Sequence, residues 1–417
     1  ACGVPHWVVM AGRHKTDMAR LCRDLKPICE HHIRMFGEPA PMDRYVFMTL
    51  VTGNGYGGLE HRNSTSLMCA RDDLPKRTDE PGKVRDGYRN YLGLCSHEYF
   101  HTWNIKRIKP AAFTPFDLSR EVHTELLWAF EGITSYYDDL SLTRTGLIPP
   151  QSYLELLGQT LSRVYRGQGR HKQTVTESSF DAWTRFYKQD ENAPNGIVSY
   201  YTKGSLVALA LDLTLRNLTA EKKSLDDLMR LLWARYGQTG EGVPEQGIQP
   251  LAEEVAGCEM TDFFEQALYS TEDLPLAELL AERGVELNWR SAASHGDNGG
   301  KPGKEGIPNL GVRLVADPMG AKIAVAFEQG PAMAAGLSAG DVIIAVDGLQ
   351  ATQGNIDNLL ANFLPGEMVE VHAFRRDELM KFNVKVAPTE PSTAYLTIAK
   401  GGLTEKGKAW LHWKGNE

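Results

Sequence analysis

Two histidines four residues apart, His97 and His101, bracket Glu98 in the run His97-Glu98-Tyr99-Phe100-His101. On a helix, such positions project from one face, so both imidazoles can reach a single ion. Glu98 lies beside them, where a carboxylate can take a proton from a water that the ion polarises. Tyr99, Phe100 and Trp103 give this helix a largely buried setting. Two histidines and a glutamate are costly there unless something compensates them. A metal site, rather than a solvated helix face, is the reading these neighbours favour.

A catalytic zinc site needs a third protein ligand and one open position for water. Glu121 and Glu131 compete for that role, 20 and 30 residues after His101. Spacing favours Glu121, which sits as the third ligand does in thermolysin-type enzymes. Local context favours Glu131. The segment Thr124–Leu140 (TELLWAFEGITSYYDDL) reads as a largely buried helix, with Glu131 among Trp128, Phe130 and Tyr136. An acid placed there needs a cation, and one zinc ion would supply it.

The Leu127-Trp128-Ala129-Phe130-Glu131-Gly132 pattern downstream of H-E-x-x-H resembles the gluzincin aminopeptidases, the clan of aminopeptidase N. With HEYFHTWNIKRIKP and the C-terminal region, the resemblance is closest to the glycyl aminopeptidase family and covers nearly the whole chain. It implies a zinc-dependent aminopeptidase that removes small N-terminal residues, glycine or alanine, with His97, His101 and Glu131 as metal ligands. Gly57-Gly58-Leu59-Glu60-His61 resembles the clan's G-x-M-E-N motif, departing from it at Leu59 and His61. By that resemblance Glu60 binds the substrate's free α-amine, while the strand holding Gly57 and Gly58 pairs with the peptide. A fixed carboxylate near the metal would then set the cut one residue from the N-terminus. Tyr200-Tyr201-Thr202-Lys203-Gly204 resembles the clan's Y-x-K-G motif, which makes Tyr201 the donor to the developing oxyanion. Glu98 is the implied general base. The alternatives are a zinc endopeptidase of the same clan and a catalytically idle scaffold that binds peptides.

Three regions must position these residues. Residues 1–75 alternate strand-like runs (HWVVM, RYVFMTLV) with an amphipathic helix marked by Met18, Leu21, Cys22, Leu25, Cys29, Ile33 and Phe36. Residues 86–288 are predominantly helical, including a buried helix over 203–216. The expected fold is α+β and multidomain, with a thermolysin-like catalytic domain at 1–290 and a linker at 291–307 whose glycine, lysine and asparagine content reads as flexible. Short strands follow (GVRLVA, AKIAVAF, DVIIAVDG, MVEVHAFRR, KFNVKVA), with short helices at 332–335 and 355–363. This stretch, 308–390, resembles a bacterial-type PDZ domain. Leu310, Gly311 and Val312 match the loop that receives a peptide's terminal carboxylate, so the two readings of this domain are a peptide ligand there and simple packing against the catalytic domain. A tail occupies 391–417. The family's enzymes carry a further N-terminal β-domain, and the expectation is of a chain that lacks it.

Composition limits the remaining choices. With 45 basic and 53 acidic residues the net charge is −8, which suggests no basic face for nucleic acid. The longest apolar helix, Ser205–Leu215, is too short for a membrane and carries Asp212. Six scattered cysteines without a C-x-x-C pair point to reduced thiols, which favours the cytoplasm slightly and leaves the periplasm open.

Overall fold

The computed structural model of the protein describes residues 1–303, 306–387 and 391–414. Residues 304–305 of the expected linker, 388–390 at the end of the expected PDZ domain and 415–417 of the tail lie outside the described residues. The chain divides into two units. One comprises Ala1–Tyr153, Lys203–Val285 and the residues from Ile398 onward; the other comprises Leu154–Thr202 and Glu286–Thr397.

In the first unit, β1 (His6–Ala11), β2 (Tyr45–Thr52), β3 (Tyr56–Glu60) and β4 (Ser64–Ala70) form one sheet, with α1 (Met18–Phe36) crossing between β1 and β2. The strand order is β1-β2-β4-β3, parallel except for β3, which runs antiparallel to β4 along the edge. Alternation along β2 sends Tyr45, Phe47, Thr49 and Val51 inward, as the two-residue period requires. Helix α2 (Asp86–Phe100) carries the H-E-x-x-H run and is pinned to this layer. Tyr91 shares a hydrogen bond with Thr49 at 2.8 Å, His6 Nε2 meets Tyr99 Oη at 2.9 Å, and Ser96 pairs with His32 at 3.0 Å. Phe36 stacks on Trp103 with ring centroids 4.9 Å apart.

The sequence pattern gives one helix over 124–140. The structure instead has a single wide, π-type turn at Trp128–Gly132, followed by α3 (Ile133–Arg144). The apolar pattern is the same for both, because a wide turn inserted in a helix leaves the flanking period intact. Two further helices, α4 (Thr202–Leu218) and α5 (Leu225–Leu232), complete the support of α3. Asp212 of α4 is fully buried and accepts from Tyr136 Oη (2.6 Å), Arg216 Nε (3.1 Å) and the Leu225 N–H (2.8 Å). Arg144 pairs with Asp226 at 2.9 Å. These charges are tolerable only because each is matched and hydrogen-bonded.

The residues from Ile398 onward belong to this unit. The helix Glu405–Leu411 seats Trp410 at 0% exposure, with its indole N–H donating to Tyr136 Oη at 2.8 Å and its carbonyl accepting from Arg144 Nε at 3.1 Å. Trp410→Ala should therefore cost about 3–5 kcal/mol of stability, read as a lower midpoint in urea.

In the second unit, β5 (Val312–Asp317), β6 (Gly320–Ala326), β7 (Val342–Val346), β8 (Met368–Arg375) and β9 (Glu378–Lys385) form an antiparallel sheet ordered β9-β8-β7-β6-β5. Each strand coincides with one of the five runs read from the sequence. Their inward residues, with Leu310, Leu337, Ile356 and Leu360, make a separate core. Gly311 has φ 66°, and a Cβ there would stand 2.8 Å from Gly330 Cα, so glycine is required. Within the expected linker, Asp297 forms a bidentate pair with Arg290 (2.6 and 3.1 Å) and accepts the N–H groups of Ala293 and Gly299, both at 2.9 Å. His295 is paired with Asp357 of the short helix Ile356–Leu360. Among the described residues, no helix is long and apolar enough to cross a membrane.

Candidate active site

His97 lies in the last turn of α2, and His101 caps its C-terminal end. Their Nε2 atoms face each other at 3.1 Å. Glu131, presented by the wide turn, places Oε2 3.4 Å from His97 Nε2 and 3.3 Å from His101 Nε2. Tetrahedral ligands at zinc distances are themselves about 3.3–3.6 Å apart, so these three atoms have the spacing of donors sharing one ion. The Glu131 Oε2 atom is buried and accepts no hydrogen bond among the described residues, which a cation would remedy. The donor set and its geometry therefore fit a divalent metal. Glu121 stands apart, exposed, with His123 its ionic neighbour at 4.0 Å.

Outer partners fix the ring orientations. His97 Nδ1 pairs with Asp138 Oδ2 at 3.1 Å, and His101 Nδ1 donates to the Asn104 carbonyl at 2.9 Å. Each contact turns the Nε2 lone pair toward Glu131, the usual function of such partners. Burial disfavours the charged His97 ring, but the Asp138 and Glu131 carboxylates outweigh it and raise its pKa well above the ordinary value. Burial likewise opposes ionisation of Glu131, yet His101 and His97 hold its pKa at about 2. The pocket thus stabilises positive charge.

Glu98 is 4% exposed, and its buried Oε2 has no hydrogen-bond partner among the described residues. Burial raises its pKa, the two histidines opposing. Donor atoms of Glu60, Glu98 and His101 all lie within 4.8 Å of one another, so the end of the edge strand β3 faces the same centre. Glu60 Oε1 is paired at 2.8 Å with Lys106 Nζ, a partner not foreseen from the sequence. Gly58 passes so close to Glu98 that a Cβ would overlap its Oε1. Gly58→Ala, whose Cβ would also stand 2.5 and 2.7 Å from Glu98 Cδ and Cγ, should displace that whole side chain and lower kcat/KM by about tenfold or more. Gly57, next to it, has φ 154° and open space around its Cα.

Gly132 and Gly204, the glycines that close the L-W-x-x-E-G and Y-x-K-G patterns, lie against each other. A Cβ on Gly132 would stand 2.5 Å from the Gly204 carbonyl carbon. Tyr201 belongs to the second unit, where its hydroxyl is 3.3 Å from that of Tyr187 and its ring stacks on Phe186. In the PDZ region Leu310 and Val312 are buried, and the Gly311 N–H donates to Asn309 Oδ1 at 2.8 Å.

Asp138, Asn104 and Lys106 are the site residues that sequence reasoning missed. Asp138 carried a signal: it lies seven residues, two helical turns, after Glu131 in the same buried stretch. Asn104 and Lys106 carried none, since an amide and a lysine after a helix end are ordinary.

A family profile described as M61 glycyl aminopeptidase matches residues 90–207, and a PDZ domain profile matches residues 308–386. Among solved structures, the aminopeptidase N family protein from Idiomarina loihiensis is 44% identical, with a TM-score of 0.93, over 98% of this chain and 68% of that one. The HtrA-type protease AlgW with a decapeptide matches 20% of this chain and 30% of its own at 24% identity and a TM-score of 0.19. A serine endoprotease from Yersinia pestis matches 20% of this chain and 30% of its own at 21% identity and a TM-score of 0.18. Comparison with curated proteins gives no match. Because the M61 profile spans the histidine pair, Glu131 and the tyrosine motif, and the Idiomarina relative aligns along almost the whole length, this chain belongs to the M61 glycyl aminopeptidase family of peptide hydrolases and carries a PDZ domain.

Proposed function

We propose that the protein is a zinc-dependent aminopeptidase with a thermolysin-like catalytic domain, releasing small N-terminal residues, glycine or alanine, from peptides. The observation that carries this reading is the convergence of His97 Nε2, His101 Nε2 and Glu131 Oε2 on one point beside Glu98 and Glu60. One zinc ion held by that triad would supply Lewis acidity, lowering the pKa of a water and polarising the scissile carbonyl. Glu98 Oε2 takes the proton of the attacking water as its oxygen bonds to the carbonyl carbon. The same proton then passes to the departing amide nitrogen as the C–N bond breaks, leaving a free amine and a carboxylic acid, which loses the water's second proton to solvent to become a carboxylate. A carboxyl whose pKa is raised by burial suits this two-way transfer better than an ordinary surface glutamate.

Glu60 anchors the substrate's α-ammonium, and the β3 edge pairs with its backbone. On the motif alone, Tyr201 donates to the oxyanion. The PDZ domain takes a peptide ligand, with Leu310, Gly311 and Val312 at its carboxylate loop; the Gly311 N–H would have to exchange Asn309 for the ligand.

One observation favours the endopeptidase alternative: Lys106 already occupies Glu60. Mass spectrometry of an unlabelled peptide such as Ala-Gly-Ala-Phe-Leu separates the two. Stepwise loss from the N-terminus is expected, whereas internal fragments with an intact first residue would rule out the exopeptidase assignment.

A further inference from the structure

We propose that Asn104 is a positioning residue that sets both metal-binding segments at once, a role that rests on His101 and Glu131 being ligands. Asn104 is 2% exposed. Its backbone carbonyl accepts from His101 Nδ1 at 2.9 Å, which fixes the tautomer and turns Nε2 toward Glu131. Its side-chain amide reaches across to the other ligand segment, where Nδ2 lies 3.0 Å from the Ala129 carbonyl, 3.2 Å from the Phe130 carbonyl and 3.1 Å from Thr134 Oγ1.

In a regular α-helix those two carbonyls would accept the N–H groups of Ile133 and Thr134. A side chain inserted into that ladder widens it, and widened turns recur at functional sites. Here the wide turn is Trp128–Gly132, and it presents Glu131. Thr134 Oγ1 also donates to the Phe130 carbonyl at 2.7 Å, so the Ala129 and Phe130 carbonyls within the turn are both met by side chains.

The backbone that delivers Asn104 is itself constrained. Ile105, the next residue, has φ 91°, a left-handed value that a β-branched residue adopts only at a cost. Bonds on both sides hold it there: Ile105 N–H to the Ile108 carbonyl at 2.8 Å, and Ile108 N–H to the Trp103 carbonyl at 2.8 Å. A single asparagine thereby couples the end of the H-E-x-x-H helix to the turn carrying the third ligand.

The test uses Asn104→Ala and Asn104→Ser, with Leu228→Ala in the core of α5 as a control for general destabilisation. Zinc affinity is measured by competition with a chromophoric chelator, and coordination by the visible spectrum of the cobalt-substituted protein. Hydrogen exchange over residues 128–134 is followed in metal-free protein. Asn104→Ala should weaken zinc binding by about 10–100-fold, alter the cobalt bands and accelerate exchange across the turn. Asn104→Ser, able to cap one carbonyl, should fall between Ala and wild type, and it decides the matter should Asn104→Ala not fold. Leu228→Ala should lower Tm and leave zinc affinity and the cobalt spectrum as they are. Wild-type affinity and spectrum in a folded Asn104 variant would overturn the proposal, as would an equal shift in Leu228→Ala. Failure of the wild type to bind zinc would instead sink the ligand assignment, and exchange in metal-free protein would still report whether Asn104 holds the turn.

Discussion

Glu98→Gln is expected to lower kcat by about 10²–10⁴-fold while leaving metal content and Tm close to wild type. The substitution keeps the size and burial of the side chain but removes the basic oxygen, so no group at that point can hold the proton between attack and departure. Packing should survive: the Gly58 backbone faces Glu98 Oε1, and Glu98 Oε2 has no hydrogen-bond partner to lose among the described residues. Metal should survive as well, since the triad His97, His101 and Glu131 is untouched. Steady-state kinetics with metal analysis on the same preparation reads both outcomes. Wild-type kcat in Glu98→Gln would remove the residue from the chemistry altogether.

Glu131→Gln should have the opposite signature, losing metal first and activity in consequence. Its buried Oε2 stands 3.3–3.4 Å from both imidazole Nε2 atoms, and those imidazoles hold its carboxyl at a pKa of about 2. Replacing that charge with an amide leaves two neutral rings to bind a divalent ion, and affinity should fall by more than the roughly 10–100-fold that removing an outer partner costs. Chelator competition gives the number. Glu121→Gln, at an exposed position away from the triad, should bind metal as wild type does. The reverse pattern, with Glu131→Gln metal-replete and Glu121→Gln depleted, would exchange their assignments.

Much of this site could be read before any coordinates. The two histidines were legible because helical periodicity converts a spacing of four into one face, and Glu131 because an acid among Trp128, Phe130 and Tyr136 demands a cation. Strands β1 and β2 and the five strands of the PDZ region were legible from apolar runs, whereas β4 (Ser64–Ala70) was not read. What could not be read is what acts across the fold. The wide turn at Trp128–Gly132 shares its apolar pattern with a regular helix, so only the Asn104 amide, 25 residues earlier in sequence, distinguishes them. Lys106 reaches Glu60 from 46 residues away through a turn that a strained Ile105 makes possible. The stretch before the PDZ domain looked free of structure by composition, yet one carboxylate, Asp297, gathers four hydrogen bonds there. Likewise Trp410 is deeply buried although its helix spans only seven residues, too few for a periodic signal.

Hydrolysis of alanyl- and glycyl-p-nitroanilide, set beside their N-acetylated counterparts with and without a zinc chelator, tests the central claim most directly. Cleavage confined to the free-amine substrates, abolished by chelation and restored by zinc, is the expected result. Equal cleavage of the acetylated substrates, or turnover indifferent to the chelator, would contradict it.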